Sequence, residues 1–186
     1  MTGKIYSNCL ILLFLTVFAT GCKQNSPGIQ LIKDHLNKKI NLSGYDFVYS
    51  GGRVYSYAEF RKLYPFVTVN YVDEDCAVCK VKIREWCDNF EKVPVNENLA
   101  HLFVFRGKHH ETFIRYSQGD TAFPYFIMPS EEFTYVQNNS KIDRQIIDAG
   151  FLLDKNDRIQ LIGDPFISEK MTDLYYQVVR KKINRR

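Results

Sequence analysis

The tightest constraint on this chain is the stretch from Val69 to Lys80, where an apolar run meets two cysteines three residues apart. Phe66 to Val72 (FVTVNYV) is β-branched and aromatic and has the length of a central strand. An acidic turn follows, Asp73-Glu74-Asp75, and then Cys76-Ala77-Val78-Cys79. From Cys79 onward the apolar period changes: Cys79, Ile83, Trp86, Cys87 and Phe90 fall on one face of an α-helix. A C-x-x-C at a strand-to-helix junction has a physical logic. The first thiol lies where free backbone N–H groups and the positive end of the helix dipole favour a thiolate. The second lies one turn inward, within reach of the first sulfur. The acidic turn works the other way, because like charge raises a thiol pKa.

The N-terminus bears on the compartment. Lys4 supplies a positive start, and Cys9 to Ala19 is an apolar run too short for a comfortable membrane span. It ends in Ala19-Thr20-Gly21-Cys22, small residues before a cysteine. The pattern resembles a bacterial lipoprotein signal, which implies cleavage before Cys22 and lipidation of its sulfur. Residues 1–21 then lie outside the fold, and residues 22–28, with Lys23 to Gly28 polar, form a tether. Export accounts for most of the five cysteines. Cys9 leaves with the signal and Cys22 carries lipid, so Cys76, Cys79 and Cys87 remain where disulfides persist. Cys87 lies three helical turns from Cys76, about 16 Å by helix rise, too far to bridge. It reads as a buried thiol on an apolar helix face.

The 186 residues suffice for one domain with a sizeable core, and the formal charge of +4 is mild. Much of that charge sits in Arg180-Lys181-Lys182 and Arg185-Arg186, a solvated helix end that suits the dipole, and no nucleic-acid partner is expected. Residues 29–65 read as an N-terminal extension of helix, hairpin and helix. Ile29 to Leu36 has a helical pattern, Tyr45 to Tyr49 and Val54 to Tyr57 form a hairpin, and Ser56-x-x-Glu59 is a capping box for a helix through Leu63. After the cysteine helix come a strand at Leu102 to Phe105, a loop at Gly107 to His110 and a helix at Glu111 to Ser117. A strand at Phe123 to Met128 and a short helix beginning at Ser130 follow. Ile146 to Leu153 is expected to be a strand, turned back through Asp154 to Arg158 into Ile159 to Gly163. Ser168 caps a last helix with Met171, Leu174, Tyr175 and Val178 on one face.

Val69-Asn70-Tyr71 followed five residues later by Cys-x-x-Cys-Lys resembles the active-site strand and turn of thioredoxin-fold proteins of the TlpA/ResA type. The element order from Phe66, and the run Phe151 to Asn156 with Ile162-Gly163-Asp164-Pro165, resemble the same family's insertion and closing hairpin. The resemblance implies an α/β thioredoxin-like fold over residues 66–186: a central mixed sheet flanked by helices, with an inserted strand and helix and the N-terminal extension. It also implies a membrane-anchored thiol–disulfide oxidoreductase, a reductase of exported protein disulfides acting through Cys76 and Cys79. Asn70 stands where the family often has Asn, and Lys80 where a basic residue follows the second cysteine. With Glu74 and Asp75 these would tune the redox pair. The family's cis-proline ahead of the penultimate strand aligns with Asp148, beside Ala149, so these two are the expected substrate-facing loop. The implied partners are exported proteins carrying disulfides, an upstream membrane thiol reductant, and the membrane itself through the lipid. The implied place is the cell envelope, facing the periplasm, with no cofactor.

Other chemistries fit less well. Structural zinc commonly wants two ligand pairs, and beyond the C-x-x-C there is only His109-His110, so no metal is expected. Haem attachment needs His after the second cysteine, where Lys80 stands. No Ser/His/Asp order or phosphate-binding glycine loop stands out. The alternative function is a thioredoxin-fold binding lipoprotein with a static disulfide and little redox activity. It is favoured by Asp75 in place of the family's Trp, and by Ala77-Val78 in place of Gly-Pro or Pro-Pro.

Overall fold

A computed structural model describes residues 27–42, 45–50, 52–73, 98–107, 125–130 and 134–184. The chain divides into two compact units, 1–33 and 34–186. Of the first, residues 27–33 are described, the opening turns of α1 (Pro27–His35). Pro27 starts that helix, at a position where its missing N–H costs nothing.

The second unit is built on a seven-stranded mixed sheet. Its strands are β1 (Phe47–Ser50), β2 (Arg53–Ser56), β3 (Phe66–Asp73), β4 (Leu99–Arg106), β5 (Tyr125–Ser130), β6 (Phe151–Leu153) and β7 (Ile159–Ile162). Their spatial order is β2-β1-β5-β4-β3-β6-β7. β3, β4 and β5 run parallel. β6 pairs antiparallel with β3, and β7 with β6. The hairpin β1–β2 joins the far edge through Tyr49 opposite Ile127, so residues of the N-terminal extension are part of the same sheet. β3 and β4 are buried along nearly their whole length. That is why both read as almost unbroken apolar runs instead of alternating ones.

Two cores follow from the two faces. On the first, α2 (Tyr57–Leu63) sets Phe60 against Phe126, ring centroids 4.7 Å apart. α3 (Thr134–Asn138) stacks Tyr135 on Tyr71 at 5.6 Å. α2 begins as expected: the Ser56 hydroxyl accepts from the Glu59 N–H, and the Glu59 carboxylate accepts from the Ser56 N–H. Asn139 closes α3, accepting from the Asn41 N–H and donating to the Asn41 carbonyl. On the second face, Phe66, Leu99 and Leu152 meet Tyr175, Tyr176 and Val179 of α5 (Glu169–Ile183).

Two expectations change. Ile146 to Leu153 is not one strand. Arg144–Ala149 is a helix, α4, and β6 is only Phe151–Leu153. The Asp143 carboxylate accepts from the Gln145 N–H to start α4, and Gly150, at φ 75°, ends it with its N–H on the Ile147 carbonyl. The two isoleucines that suggest a strand are buried from the helix instead. Of the face expected for α5, Tyr175 is buried and Met171 and Val178 pack against the core, but Leu174 does not belong to it. Leu174 is 39% exposed, while Tyr176 and Val179 are buried. The Tyr175 hydroxyl donates to the Gly163 carbonyl and fixes the rotation of the helix. Ser130 closes β5, and the next described helix begins at Thr134. The helices expected after Cys79 and at Glu111 to Ser117 lie outside the described residues.

Gly150 carries a second constraint. A Cβ there would stand 2.8 Å from Asn70 Oδ1 and 3.2 Å from the Val69 carbonyl oxygen, whereas one at Gly52, with nearly the same φ, would meet nothing. Gly52→Ala is expected to cost about 1 kcal/mol for left-handed backbone alone. Gly150→Ala is expected to cost at least ~1 kcal/mol more, the penalty of overpacking. Parallel denaturant titrations of the two variants check the difference, and equal losses would remove the contact from the account.

Candidate functional site

The site is approached along β3. Alternate residues of that strand serve opposite faces. Val67, Val69 and Tyr71 look toward α3 and α4, and Phe66, Thr68, Asn70 and Val72 toward the face that α5 covers. At the strand's carboxyl end Arg106 of β4 donates to Asp73 at 2.6 Å, one rung beyond Val72 and Phe105. Of the acidic turn, Asp73 is thus compensated by a cation. Glu74, Asp75, Cys76, Cys79 and Lys80 lie outside the described residues, as does Cys22. Cys76 follows Asp73 by three residues along the chain.

Asn70 is described, and it is 2% exposed. Its Nδ2 donates to Thr68 Oγ1 across a long 3.5 Å, and Thr68 Oγ1 lies 2.9 Å from His101 Nδ1. Thr68 and His101 are register partners on neighbouring parallel strands, so the pair is enforced by the sheet. One of Thr68 Oγ1 and His101 Nδ1 donates to the other, according to which ring nitrogen carries the proton. His101 also packs on the Phe166 ring, centroids 5.2 Å apart. Burial pushes its pKa down to about 4, so the ring is neutral at pH 7. Three polar side chains in the two most apolar strands are therefore a connected series, which offsets the cost of burying each alone.

Asp148 and Ala149 occupy the last turn of α4. The Asp148 carboxylate accepts from Arg144 Nε at 2.8 Å, and both side chains are about half exposed, at 51% and 49%. The Arg144 guanidinium in turn lies 4.9 Å from the centre of the Tyr71 ring. The residue immediately before β6 is Gly150, two positions beyond Asp148. A Cβ on Gly150 would stand 2.8 Å from Asn70 Oδ1. No cis peptide bond occurs among the described residues. No cluster of three His, Cys, Asp or Glu suited to a metal ion occurs among them either.

Thr68, His101, Arg106 and Gly150 stand beside Asn70 and Asp73 without having been singled out in the sequence. A signal exists for two of them. Thr68 and Asn70 are polar at period two in a run of buried residues, and His101 interrupts the apolar run Leu99-Ala100-His101-Leu102-Phe103. Polar residues at strand period inside two buried strands ask for one another.

No family model and no curated protein matches this chain. Solved structures do resemble it. A putative electron transfer protein from Aquifex aeolicus superposes with a TM-score of 0.53 at 11% identity, over 78% of this chain and 95% of that one. A thioredoxin from Wuchereria bancrofti superposes with a TM-score of 0.50 at 12% identity, over 74% of this chain and 97% of that one. At such identity the likeness speaks to architecture: the fold is thioredoxin-like.

The neutral buried imidazole makes stability depend on pH with a definite sign. The folded pKa of about 4 lies below the ordinary 6.5, so between these values the unfolded chain binds the extra proton. The His101 contribution is complete above pH 6.5, drains away as pH falls and levels off near 4. The loss amounts to roughly 3 kcal/mol at most. Unfolding free energies measured across pH 7 to 4 should fall less steeply in His101→Asn than in the wild type.

Proposed function

We propose that this chain is a lipid-anchored thiol–disulfide oxidoreductase of the TlpA/ResA type that reduces disulfides in exported proteins. One observation carries the reading. A C-x-x-C follows β3, a buried interior strand of a thioredoxin-like sheet, by three residues at the strand's carboxyl end. That end of an open α/β sheet is where such folds assemble their chemistry.

In the reaction, the Cys76 thiolate attacks one sulfur of a client disulfide. An S–S bond forms between Cys76 and the client, and the departing client sulfur takes a proton. The Cys79 thiolate then attacks the Cys76 sulfur and releases the second client thiol, leaving Cys76 and Cys79 joined. The client gains two electrons and two protons. A membrane dithiol reductant returns the pair to its reduced form by the same exchange. Glu74 and Asp75 hold the thiol pKa up, with Asp73 offset by Arg106, and the couple is poised toward reduction. Lipid on Cys22 keeps the domain at the membrane on its short tether. Among the described residues no helix is long and apolar enough to cross a membrane.

The second reading, a binding lipoprotein with a static disulfide, is favoured by the Ala77-Val78 spacer and by Asp75 before the first cysteine. One experiment separates the two. Cys79→Ser should accumulate mixed disulfides with exported proteins, and Cys76→Ser should accumulate none. Absence of adducts from both variants, with a pair that never cycles, returns the protein to the binding class.

In an active enzyme the reduction potential should lie nearer ~−270 mV than ~−120 mV, and a value above about −180 mV would refute the reductase direction. Cys22→Ser should release the domain from membranes in a fractionation assay, and retention there would mean the anchor is not the lipid.

A further inference from the structure

Three short segments meet at the end of the sheet where β3 begins. Residues 37–41 run beside the β6–β7 turn: the Asn37 N–H donates to the Ile159 carbonyl, the Ile159 N–H to the Lys38 carbonyl and the Ile40 N–H to the Asp157 carbonyl. Residues 139–143 lie against the same segment. Asn139 bonds the Asn41 backbone, and Lys38 Nζ donates to the Lys141 carbonyl at 3.4 Å. The charge gathered there is mostly of one sign. Lys39 and Arg158 face each other across a β-bridge, which sets their side chains on one side. Lys39, Lys141, Lys155 and Arg158 are exposed, and Lys38 is part-buried. Among the described residues none of these five forms an ion pair. The three carboxylates of the same segments are turned to other partners. Asp157 accepts from the Tyr57 hydroxyl and pairs with Arg61. Asp154 accepts from the Asn156 and Arg158 N–H groups, and Asp143 caps α4. Lys182, in the last turn of α5, donates to Gln160 of β7 and brings a sixth cation to this end.

We propose that this cationic end of the sheet is a docking surface for an anionic phospholipid bilayer. This rests on the membrane-anchored reading and deepens it by naming the face that meets the lipid. Unpaired, exposed cations complement a layer of phosphate headgroups, and each one near such a surface raises affinity about fivefold. The backbone that presents them is bonded to the β6–β7 turn and to residues 139–143, so docking orders little that is not already ordered. Leu36, 37% exposed beside Asn37, offers an apolar side chain to the headgroup layer. The contact has a direction. Val67, near the start of β3, is level with Leu153, and the β6–β7 turn opens at the next residue. β3 runs from there to Asp73, about 23 Å along the strand. Lipid at the cationic end therefore leaves the carboxyl end of β3 toward the aqueous side.

The test is flotation of the full chain with vesicles of phosphatidylcholine, with and without phosphatidylglycerol. The apolar run Cys9 to Ala19 contributes to binding of both kinds, so the readout is the ratio between them. The wild type should prefer the anionic vesicles, and added salt should erode the preference. Lys39→Gln and Lys141→Gln should each lower the ratio about fivefold. Both side chains are exposed and unpaired, so wild-type unfolding free energies should confirm that the fold is intact. Lys170→Gln removes an equal charge at the other end of α5 from Lys182 and should leave the ratio unchanged. Equal binding of the two vesicles by the wild type would overturn the proposal, and so would an equal loss in Lys170→Gln. Competition by polyglutamate as effective as that by anionic vesicles of equal charge would also overturn it, by assigning the face to an acidic polypeptide. The anchor reading fails separately, when Cys22→Ser stays on membranes through a salt wash, because the vesicle preference does not depend on Cys22.

Discussion

Parallel pairing of β3 with β4, in register from Phe66 opposite Leu99 to Asp73 opposite Arg106, is the constraint on which the rest depends. Both strands are buried on both faces. Their backbone groups have no water to turn to, so each needs a strand on either side. β5 supplies one side of β4 and β6 one side of β3. Their apolar side chains need cover above and below, and α5 covers one end of one face while α2, α3 and α4 serve the other. Even the edge hairpin β1–β2 is explained this way. It extends the sheet past β5 and sets Tyr55 against Phe126 on the covered face.

The same burial sets the terms for polar residues. An unpaired polar side chain between two such strands would cost several kcal/mol, so those present must satisfy one another. Thr68, His101 and Asn70 do so on one face. The other face is closed by stacked and tilted rings, among them Tyr71 on Tyr135 and Phe60 on Phe126. The sheet is therefore apolar and aromatic on one side and carries a narrow polar seam on the other. That seam ends at Asn70, close under Gly150 and a short length of chain from the cysteines.

Much of the fold could be read along the chain where local physics was sufficient. Ser56 and Glu59 make their capping box, because its atoms lie within four residues of one another. The β1–β2 hairpin and the turn at Asp154 are equally local: the Asp154 carboxylate accepts from the Asn156 and Arg158 N–H groups. β3 was legible from its run of β-branched and aromatic residues. The segment from Ile146 to Leu153 was not, because Ile-Ile carries strand propensity while Asp143 and Gly150, one at each end, decide for a helix. The buried face of α5 was legible only in part: Met171, Tyr175 and Val178 pack on the core, whereas Leu174 is exposed and Tyr176 and Val179 are buried. An amphipathic pattern leaves the rotation of a helix free by one position, and here a hydroxyl on the Gly163 carbonyl settles it.

The sequence by itself determined two cysteines at C-x-x-C spacing after a buried strand, three acidic residues before them, and a cysteine after an apolar run. It also determined most of the local elements, Arg144–Ala149 excepted. Tertiary structure alone decided which residues meet. Thr68 and His101 are 33 positions apart and touch because two strands are in register. Gly150 is far along the chain from Asn70 and meets it because β6 returns beside β3. Asp148 turns to Arg144 because both lie on one face of α4. Spacing along a chain fixes what lies within a turn or a hairpin, but contacts between strands are set by register, and register is a property of the whole sheet.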